Sequence, residues 1–147
     1  TRADNYGGER ELDTLAEVVS KLSIPVIANG DIVDIPSAVS TMRYTGCSGL
    51  MIGRGAIRNP WLFHQIWQHQ NGETPVVVDS LEKRRVLLGY FENIRDRFQN
   101  DHGALGRFKK IARYFTEGVT NGKVLRQQIF HSHTPNEAIK VIDAFFV

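Results

Sequence analysis

The 147 residues can bury one core with a smaller one beside it, and they contain no apolar run near the roughly 18 residues of a membrane span. With one cysteine, Cys47, no internal disulfide is possible, and with a polar N-terminus no signal peptide is predicted, so we expect a reducing, cytoplasmic location. The net charge of +2 is uneven, because residues 1–79 carry 6 basic against 9 acidic side chains and residues 80–147 carry 12 against 7. The basic half either meets a polyanion or is a solvated helical surface.

The first half is predicted to alternate helix and strand. After a loop over residues 1–10, apolar residues at three- and four-residue spacing predict a helix over 12–22. Short apolar runs at 24–28 and 48–52 suit strands that are buried on both faces. Residues 36–44 between them predict the helix of a βαβ unit.

The second half is predicted to be helical only. Asn59-Pro60 predicts the N-cap and first position of a helix that runs to Gly72, and the composition changes there, so we place the domain boundary between residues 72 and 73. Beyond it, apolar stripes predict four helices: Leu81 to Phe98, Leu105 to Phe115 with Gly118 as its C-terminal signal, Val124 to Ile129, and one opened by a capping box, Thr134–Glu137. Short connections between four helices predict a small bundle.

Both predicted strands end abruptly in glycine and polar residues. Asn29, Gly30 and Asp31 follow the first strand, and Gly53 and Arg54 follow the second. Ligands of parallel α/β folds bind beyond the carboxyl ends of the strands, and glycines let backbone N–H groups approach an anion closely. These five residues are therefore predicted to form the two halves of a phosphate cradle.

Two of the cradle side chains have alternative interpretations. Arg54 is either a phosphate clamp, through its forked donors, or a surface arginine near a strand end. Asp31 can offer its backbone N–H to a ligand, but for its side chain we favour a cap on the following helix.

Two parallel strands would leave an edge and a face exposed, so they do not make a stable sheet alone. The sequence is therefore expected to be the C-terminal portion of a larger protein. Its predicted fold class is α/β. Residues 1–72 would supply the last part of a TIM (β/α)8 barrel, and residues 73–147 an all-α four-helix bundle domain.

A basic cluster is the sharpest feature of the second half. Arg107, Lys110 and Arg113 recur every third residue and share one side of a predicted helix, with Lys109 beside them and Arg126 on the next helix. Such a ridge is predicted to neutralise nucleic-acid phosphates, and the alternative is a solvated helix face.

The histidines and the cysteine predict neither a metal site nor a nucleophile. The five histidines lack acidic or cysteine partners at ligand spacing. Cys47 precedes the second strand, at the rim opposite to a barrel active site, so a structural role is expected.

Three segments of the sequence closely resemble the tRNA-dihydrouridine synthases. They are residues 24–31 (Ile-Pro-Val-Ile-Ala-Asn-Gly-Asp), 45–56 (Thr-Gly-Cys-Ser-Gly-Leu-Met-Ile-Gly-Arg-Gly-Ala) and 59–63 (Asn-Pro-Trp-Leu-Phe). The helical half resembles the family's tRNA-binding module more loosely. Ile111 stands where many members have a histidine, and Tyr114-Phe115 where they have a tryptophan–tyrosine pair.

The resemblance implies a barrel enzyme that uses FMN, reloaded by NADPH, to reduce the C5–C6 double bond of particular uridines in tRNA. It implies that the segments at Asn29–Asp31 and Gly53–Arg54 hold the FMN phosphate end. Thr1-Arg2 resembles the end of the family's His-x-Arg-Thr stretch. The family's catalytic cysteine and this histidine would then lie upstream of residue 1, so no catalytic residue is expected in this chain.

Two other functions stay open at this stage. A flavin barrel of the dihydroorotate dehydrogenase type could share the phosphate loops, although it has little use for a basic helical extension. The chain by itself could also be a tRNA-binding piece without catalysis. We expect tRNA as a partner, no metal, no membrane association and a monomer.

Overall fold

The structure, a computed structural model, describes residues 11–98 and 100–146. Within them the protein is a mostly helical α/β structure with a small two-stranded parallel sheet. The chain divides into two compact units, Thr1–Pro75 and Val76–Val147. The loop predicted for residues 1–10 lies outside the described residues. No helix of the described part is long and apolar enough to cross a membrane.

The first unit contains the predicted βαβ arrangement. In chain order it has α1 (Leu12–Lys21), β1 (Ile27–Asn29), α2 (Ile35–Thr45), β2 (Gly49–Met51), α3 (Arg54–Arg58) and α4 (Leu62–Gln70). The strands pair in parallel, with Ala28 opposite Leu50. Pro36 lies in the first turn of α2, and Gly46, with a φ of 68°, ends that helix as the sequence predicts.

Among residues 11–98 and 100–146, only one face of the strand pair is covered. Ala28 is buried, whereas Ile27 and Met51 on the opposite face are 54% and 57% exposed. A core cluster from α2, α4 and the segment after β1 includes these residues: Ile32, Ala38, Leu62 and Ile66, with Ile35, Leu50 and Ile52 packed against them. The described residues supply a helical layer on one side of the sheet alone, so the exposed face is the one expected for two parallel strands without the rest of a sheet.

The segment after β2 also differs from the prediction. Arg54 begins the short helix α3, and Asn59 is its C-cap instead of the N-cap of the next helix. The Asn59 N–H donates to the Gly55 carbonyl at 2.8 Å, which closes α3. The side-chain amide of Asn59 donates to Gln65 Oε1 at 2.6 Å, so it is engaged within the unit.

The second unit is built from the predicted four helices. These are α5 (Ser80–Arg97), α6 (Asp101–Phe115), α7 (Gly122–His131) and α8 (Pro135–Phe145), with a 3₁₀ turn at Thr116–Gly118. α5 packs on α6 and α8, and α7 packs on α6 and α8. Phe91 of α5 and Phe108 of α6 stack with ring centroids 4.2 Å apart. Further large side chains of this unit are also fully buried: Leu87, Phe115, Leu125, Ile129 and Ile142.

Three predicted details of this unit change. Leu81 is 68% exposed and does not join the core. Gly118 does not end α6, because the chain continues from that helix directly into the 3₁₀ turn. Thr134 Oγ1 accepts the Glu137 N–H at 3.2 Å, and the Glu137 carboxylate accepts from the His133 N–H at 2.7 Å and interacts with the Thr134 backbone N–H, so the predicted capping box extends to the residue before the N-cap.

Candidate functional site

The two predicted halves of the cradle lie side by side. Because β1 and β2 pair in parallel, with Asn29 opposite Met51, both strands end at the same edge of the sheet. The chain then turns sharply, with a φ of 140° at Gly30 and 41° at Asp31. A positive φ in a residue other than glycine is uncommon, and aspartate is among the residues that tolerate it.

A salt bridge joins the two loops. Arg54 Nη2 donates to Asp31 Oδ1 at 3.0 Å, and the two side chains are 47% and 48% exposed. Arg54 follows β2 and Asp31 follows β1, so the contact spans the edge at which both strands end. The guanidinium is thereby held between the loops, with its position set by a carboxylate.

A close backbone approach reinforces this junction. A Cβ placed on Gly55 would lie 2.1 Å from the carbonyl oxygen of Ile32, which is far inside van der Waals contact. Only glycine lets the first turn of α3 come this near to the segment after β1. At Gly53, by contrast, a Cβ would meet no atom within 4 Å, so the backbone there borders open space. An open position beside a guanidinium fits a phosphate group, because forked N–H donors suit oxyanions.

The structure corrects the role favoured for the Asp31 side chain. Asp34, three residues later, caps α2: its Oδ1 accepts the Ser37 N–H at 2.8 Å, and Ser37 Oγ accepts the Asp34 N–H at 3.1 Å. Asp31 instead pairs with Arg54. The spacing Asp-x-x-Ser at 34–37 was the signal in the sequence that could have identified the true cap.

Cys47 occupies a structural position, as predicted. It is a buried free thiol, and its backbone N–H donates to Thr45 Oγ1 at 3.2 Å just before β2 begins. Residues 11–98 and 100–146 contain no group of three or more histidine, cysteine, aspartate or glutamate side chains that could hold a metal ion.

In the second unit, three of the five predicted phosphate ligands are exposed. Arg107, Lys110 and Arg113 lie on the solvent side of α6, while Phe108 and Ala112 between them are buried. We call these three residues the basic ridge. Their spacing places them on one side of the helix.

The remaining two predicted ligands have partners inside the unit. Lys109 Nζ donates to the carbonyl oxygens of Phe130 at 2.9 Å and Ser132 at 2.7 Å, at the end of α7. Arg126 Nη1 lies 3.9 Å from Glu117 Oε1. Lys109 therefore acts as a cation at a helix C-terminus, where it satisfies carbonyls that have no intrahelical partner.

An aromatic ring adjoins the basic ridge. The guanidinium carbon of Arg113 lies 6.0 Å from the ring centroid of Tyr114, at the limit of a cation–π contact. Sequence reasoning noted Tyr114 only as a departure from the family pattern. The Tyr114 side chain is half-buried.

Two side chains outside these sites, Tyr44 and Glu137, have shifted pKa values because of local hydrogen bonds. The Asp13 carboxylate accepts a hydrogen bond from the Tyr44 hydroxyl between α1 and α2, which raises the pKa of Tyr44. The backbone N–H of His133 lowers the pKa of Glu137 by donating to its ionised carboxylate.

Comparison with known proteins gives a consistent set of relatives. The family model of dihydrouridine synthases matches residues 1–147. The chain is 33% identical to the tRNA-dihydrouridine synthase B of Pasteurella multocida (strain Pm70) and to that of Escherichia coli (strain K12), and 31% identical to that of Serratia marcescens. Each match covers 99% of this chain but only 44%, 46% and 44% of the respective protein, so the chain spans less than half the length of these relatives.

Proposed function

Because this chain belongs to the dihydrouridine synthase family, we propose that it is part of an enzyme that reduces the C5–C6 double bond of particular uridines in tRNA, with FMN as cofactor and NADPH as reductant. In this proposal residues 1–72 are the last part of a TIM barrel, and residues 73–147 are a four-helix tRNA-binding domain. The family match over residues 1–147 and the shared identity of the relatives as tRNA-dihydrouridine synthases support it.

We assign the phosphate end of FMN to Asn29, Gly30, Asp31, Gly53 and Arg54. The observation that carries this assignment is the Asp31–Arg54 contact of 3.0 Å, which brings the two strand-end loops to one place. Backbone N–H groups of the loops would bind the phosphate oxygens, and the Arg54 guanidinium would offset their charge. When bound, FMN supplies a hydride chemistry that protein side chains do not offer.

We assign tRNA contacts to the basic ridge, Arg107, Lys110 and Arg113, and retain Lys109 and Arg126 as candidates. Exposure of the three ridge side chains supports direct phosphate contact. Each neutralised phosphate adds to the salt dependence of binding, because counterions are released from the nucleic acid. A target uridine inside a folded tRNA would have to be unstacked before it could be reduced.

The proposed activity is tested by mass spectrometry of nucleosides from tRNA of cells that lack the gene encoding this chain. We expect dihydrouridine to fall in these cells and to be restored by the wild-type gene. The Arg54→Ala gene should restore it poorly. Arg58→Ala, an exposed arginine at the far end of α3, is the matched control and should restore it fully. An unchanged dihydrouridine content in the deletion strain would contradict the proposal.

The tRNA contacts are tested by equilibrium binding over a range of salt concentrations. Replacing any one ridge residue by alanine should reduce the slope of log K against log[salt] by about 0.7–0.9, as loss of one phosphate contact predicts. Lys140→Ala, an exposed lysine on α8, serves as the control that removes the same charge elsewhere. An affinity for tRNA that does not change with salt concentration would rule out the basic ridge as a phosphate-binding surface.

Two alternatives are less well supported. A dihydroorotate-dehydrogenase-type barrel would share the flavin loops, but the family match and the named relatives favour dihydrouridine synthase. Binding of tRNA without catalysis is the second alternative, and the family match with its named relatives favours the enzyme over it as well. We further propose that the enzyme acts in the cytoplasm, as a monomer and without a metal ion.

A further inference from the structure

We propose that the Asp31 side chain is a positioning residue that holds the Arg54 guanidinium in place for a phosphate monoester, and so sets the preference for FMN over unphosphorylated riboflavin. This inference rests on the proposed function of the same site. The site residues assigned above use only the backbone of Asp31, so the role of its carboxylate is the new element.

The geometry commits this carboxylate to Arg54. Asp31 has a left-handed backbone conformation, with a φ of 41°, immediately after the sharp turn at Gly30. Its Oδ1 accepts from Arg54 Nη2 at 3.0 Å, whereas the capping role on α2 belongs to Asp34. The Asp31 side chain therefore contacts Arg54 of the second loop instead of capping α2.

The contact is too exposed to be explained by stability. Both side chains are close to half exposed, and exposed ion pairs contribute little to the free energy of unfolding. The arginine side chain, however, has many rotamers, and its forked donors recognise an oxyanion only in a defined orientation. A carboxylate partner that selects one orientation before the ligand arrives lowers the entropy lost on binding.

A competing electrostatic effect determines what the test must measure. The Asp31 carboxylate also repels a phosphate dianion, which would weaken binding. Water and salt screen this repulsion at an exposed site, whereas Arg54 would contact the phosphate directly. Positioning and repulsion therefore predict opposite effects of removing the carboxylate, and the ratio of FMN to riboflavin affinity distinguishes them because riboflavin lacks only the phosphate.

The test uses flavin-stripped protein purified from its full-length gene, titrated with FMN and with riboflavin by quenching of flavin fluorescence. We expect Asp31→Ala to lower the ratio of FMN to riboflavin affinity about two- to five-fold, which corresponds to the usual strength of an exposed pair. Asp31→Asn keeps an acceptor oxygen and tolerates a positive φ, so its ratio should fall less. Arg54→Ala should lower the ratio further than Asp31→Ala does, to the value that the backbone N–H donors alone support, and adding Asp31→Ala to it should cause no further fall, as coupled residues require.

Asp34→Ala is the matched control for a purely structural effect. It removes the cap of α2 and should lower the melting temperature without changing the FMN to riboflavin ratio. A ratio that stays unchanged or rises in Asp31→Ala overturns the positioning role, even when wild-type protein binds FMN. Wild-type protein that binds neither flavin, or binds both equally, overturns the phosphate cradle itself and the positioning role with it.

Discussion

Replacement of Lys109 by methionine tests whether this residue is part of the fold or part of the RNA-binding surface. The ammonium group donates to two main-chain carbonyls of the α7 C-terminus, at 2.9 Å and 2.7 Å. Methionine has a similar length and apolar stem but no donor, so it leaves both carbonyls without this partner. Hydrogen bonds to charged groups contribute roughly 1.5–3 kcal/mol each.

The expected cost is smaller than the sum of the two bonds. Lys109 is half-buried, so water can reach the carbonyls after the substitution and replace part of the lost interaction. We expect the free energy of unfolding to fall by about 2 kcal/mol. For a domain of this size, about 2 kcal/mol corresponds to a melting temperature lower by roughly 8–16 °C.

Lys110→Met is the matched control, because it removes the same charge from the adjacent, exposed position of α6. Thermal unfolding followed by circular dichroism should show a change within about 0.5 kcal/mol for this variant. Hydrogen exchange should be faster at the C-terminal turn of α7 in Lys109→Met alone. A structural role of Lys109 is refuted when both variants lose the same stability. It is also refuted when Lys109→Met reduces the slope of log K against log[salt] for tRNA binding as much as Lys110→Met does.

Three further perturbations test other parts of the structure. Gly55→Ala should destabilise the first unit by roughly 3 kcal/mol in thermal unfolding, since its Cβ would lie 2.1 Å from the Ile32 carbonyl oxygen. The control is Gly106→Ala, at an exposed helical position. Its Cβ meets nothing within 4 Å, so this variant should be neutral or stabilising. Phe91→Ala removes a ring stacked at 4.2 Å in the core of the second unit and should cost roughly 3–5 kcal/mol, measured by denaturant titration; a loss below 1 kcal/mol would contradict the assigned core. Glu137 has a lowered pKa in the folded state, so its stabilising effect is present above the unfolded pKa and is lost as pH falls through the folded one. The stability difference between wild type and Glu137→Gln should therefore narrow as pH falls below about 4.3, the ordinary glutamate pKa, and a difference that does not change with pH there would argue against the His133 N–H as its cause.

The elements and the side-by-side placement of the two strand-end loops were predictable because their signals are local. A few consecutive residues carry the apolar runs, the terminating glycines and the polar residues after each strand, and the pairing of the strands follows from the βαβ rule. The cap of α2 was assigned to Asp31 from the sequence without considering Asp34, which lies three residues later and provides the cap. The Asp34-x-x-Ser37 spacing favours Asp34, and the structure bears it out.

The contacts that give individual residues their roles were not predictable. Lys109 donates to carbonyls 21 and 23 residues away. Every residue type carries a main-chain carbonyl, so the sequence does not show which carbonyls bind the lysine. Arg54 and Asp31 are separated by 23 residues. A run of basic residues therefore predicts a charged surface, but only packing decides which of its members are available to a ligand.

The face of the strand pair that the described residues leave uncovered has a practical consequence for handling this chain by itself. Ile27 and Met51 present apolar side chains next to strand edges whose N–H and C=O groups can pair with any extended segment. Preparations of the isolated 147 residues should therefore scatter more light as concentration rises, and a little non-denaturing detergent should suppress this self-association. Binding constants for the chain alone are best measured at low micromolar concentration, where copies of it seldom meet.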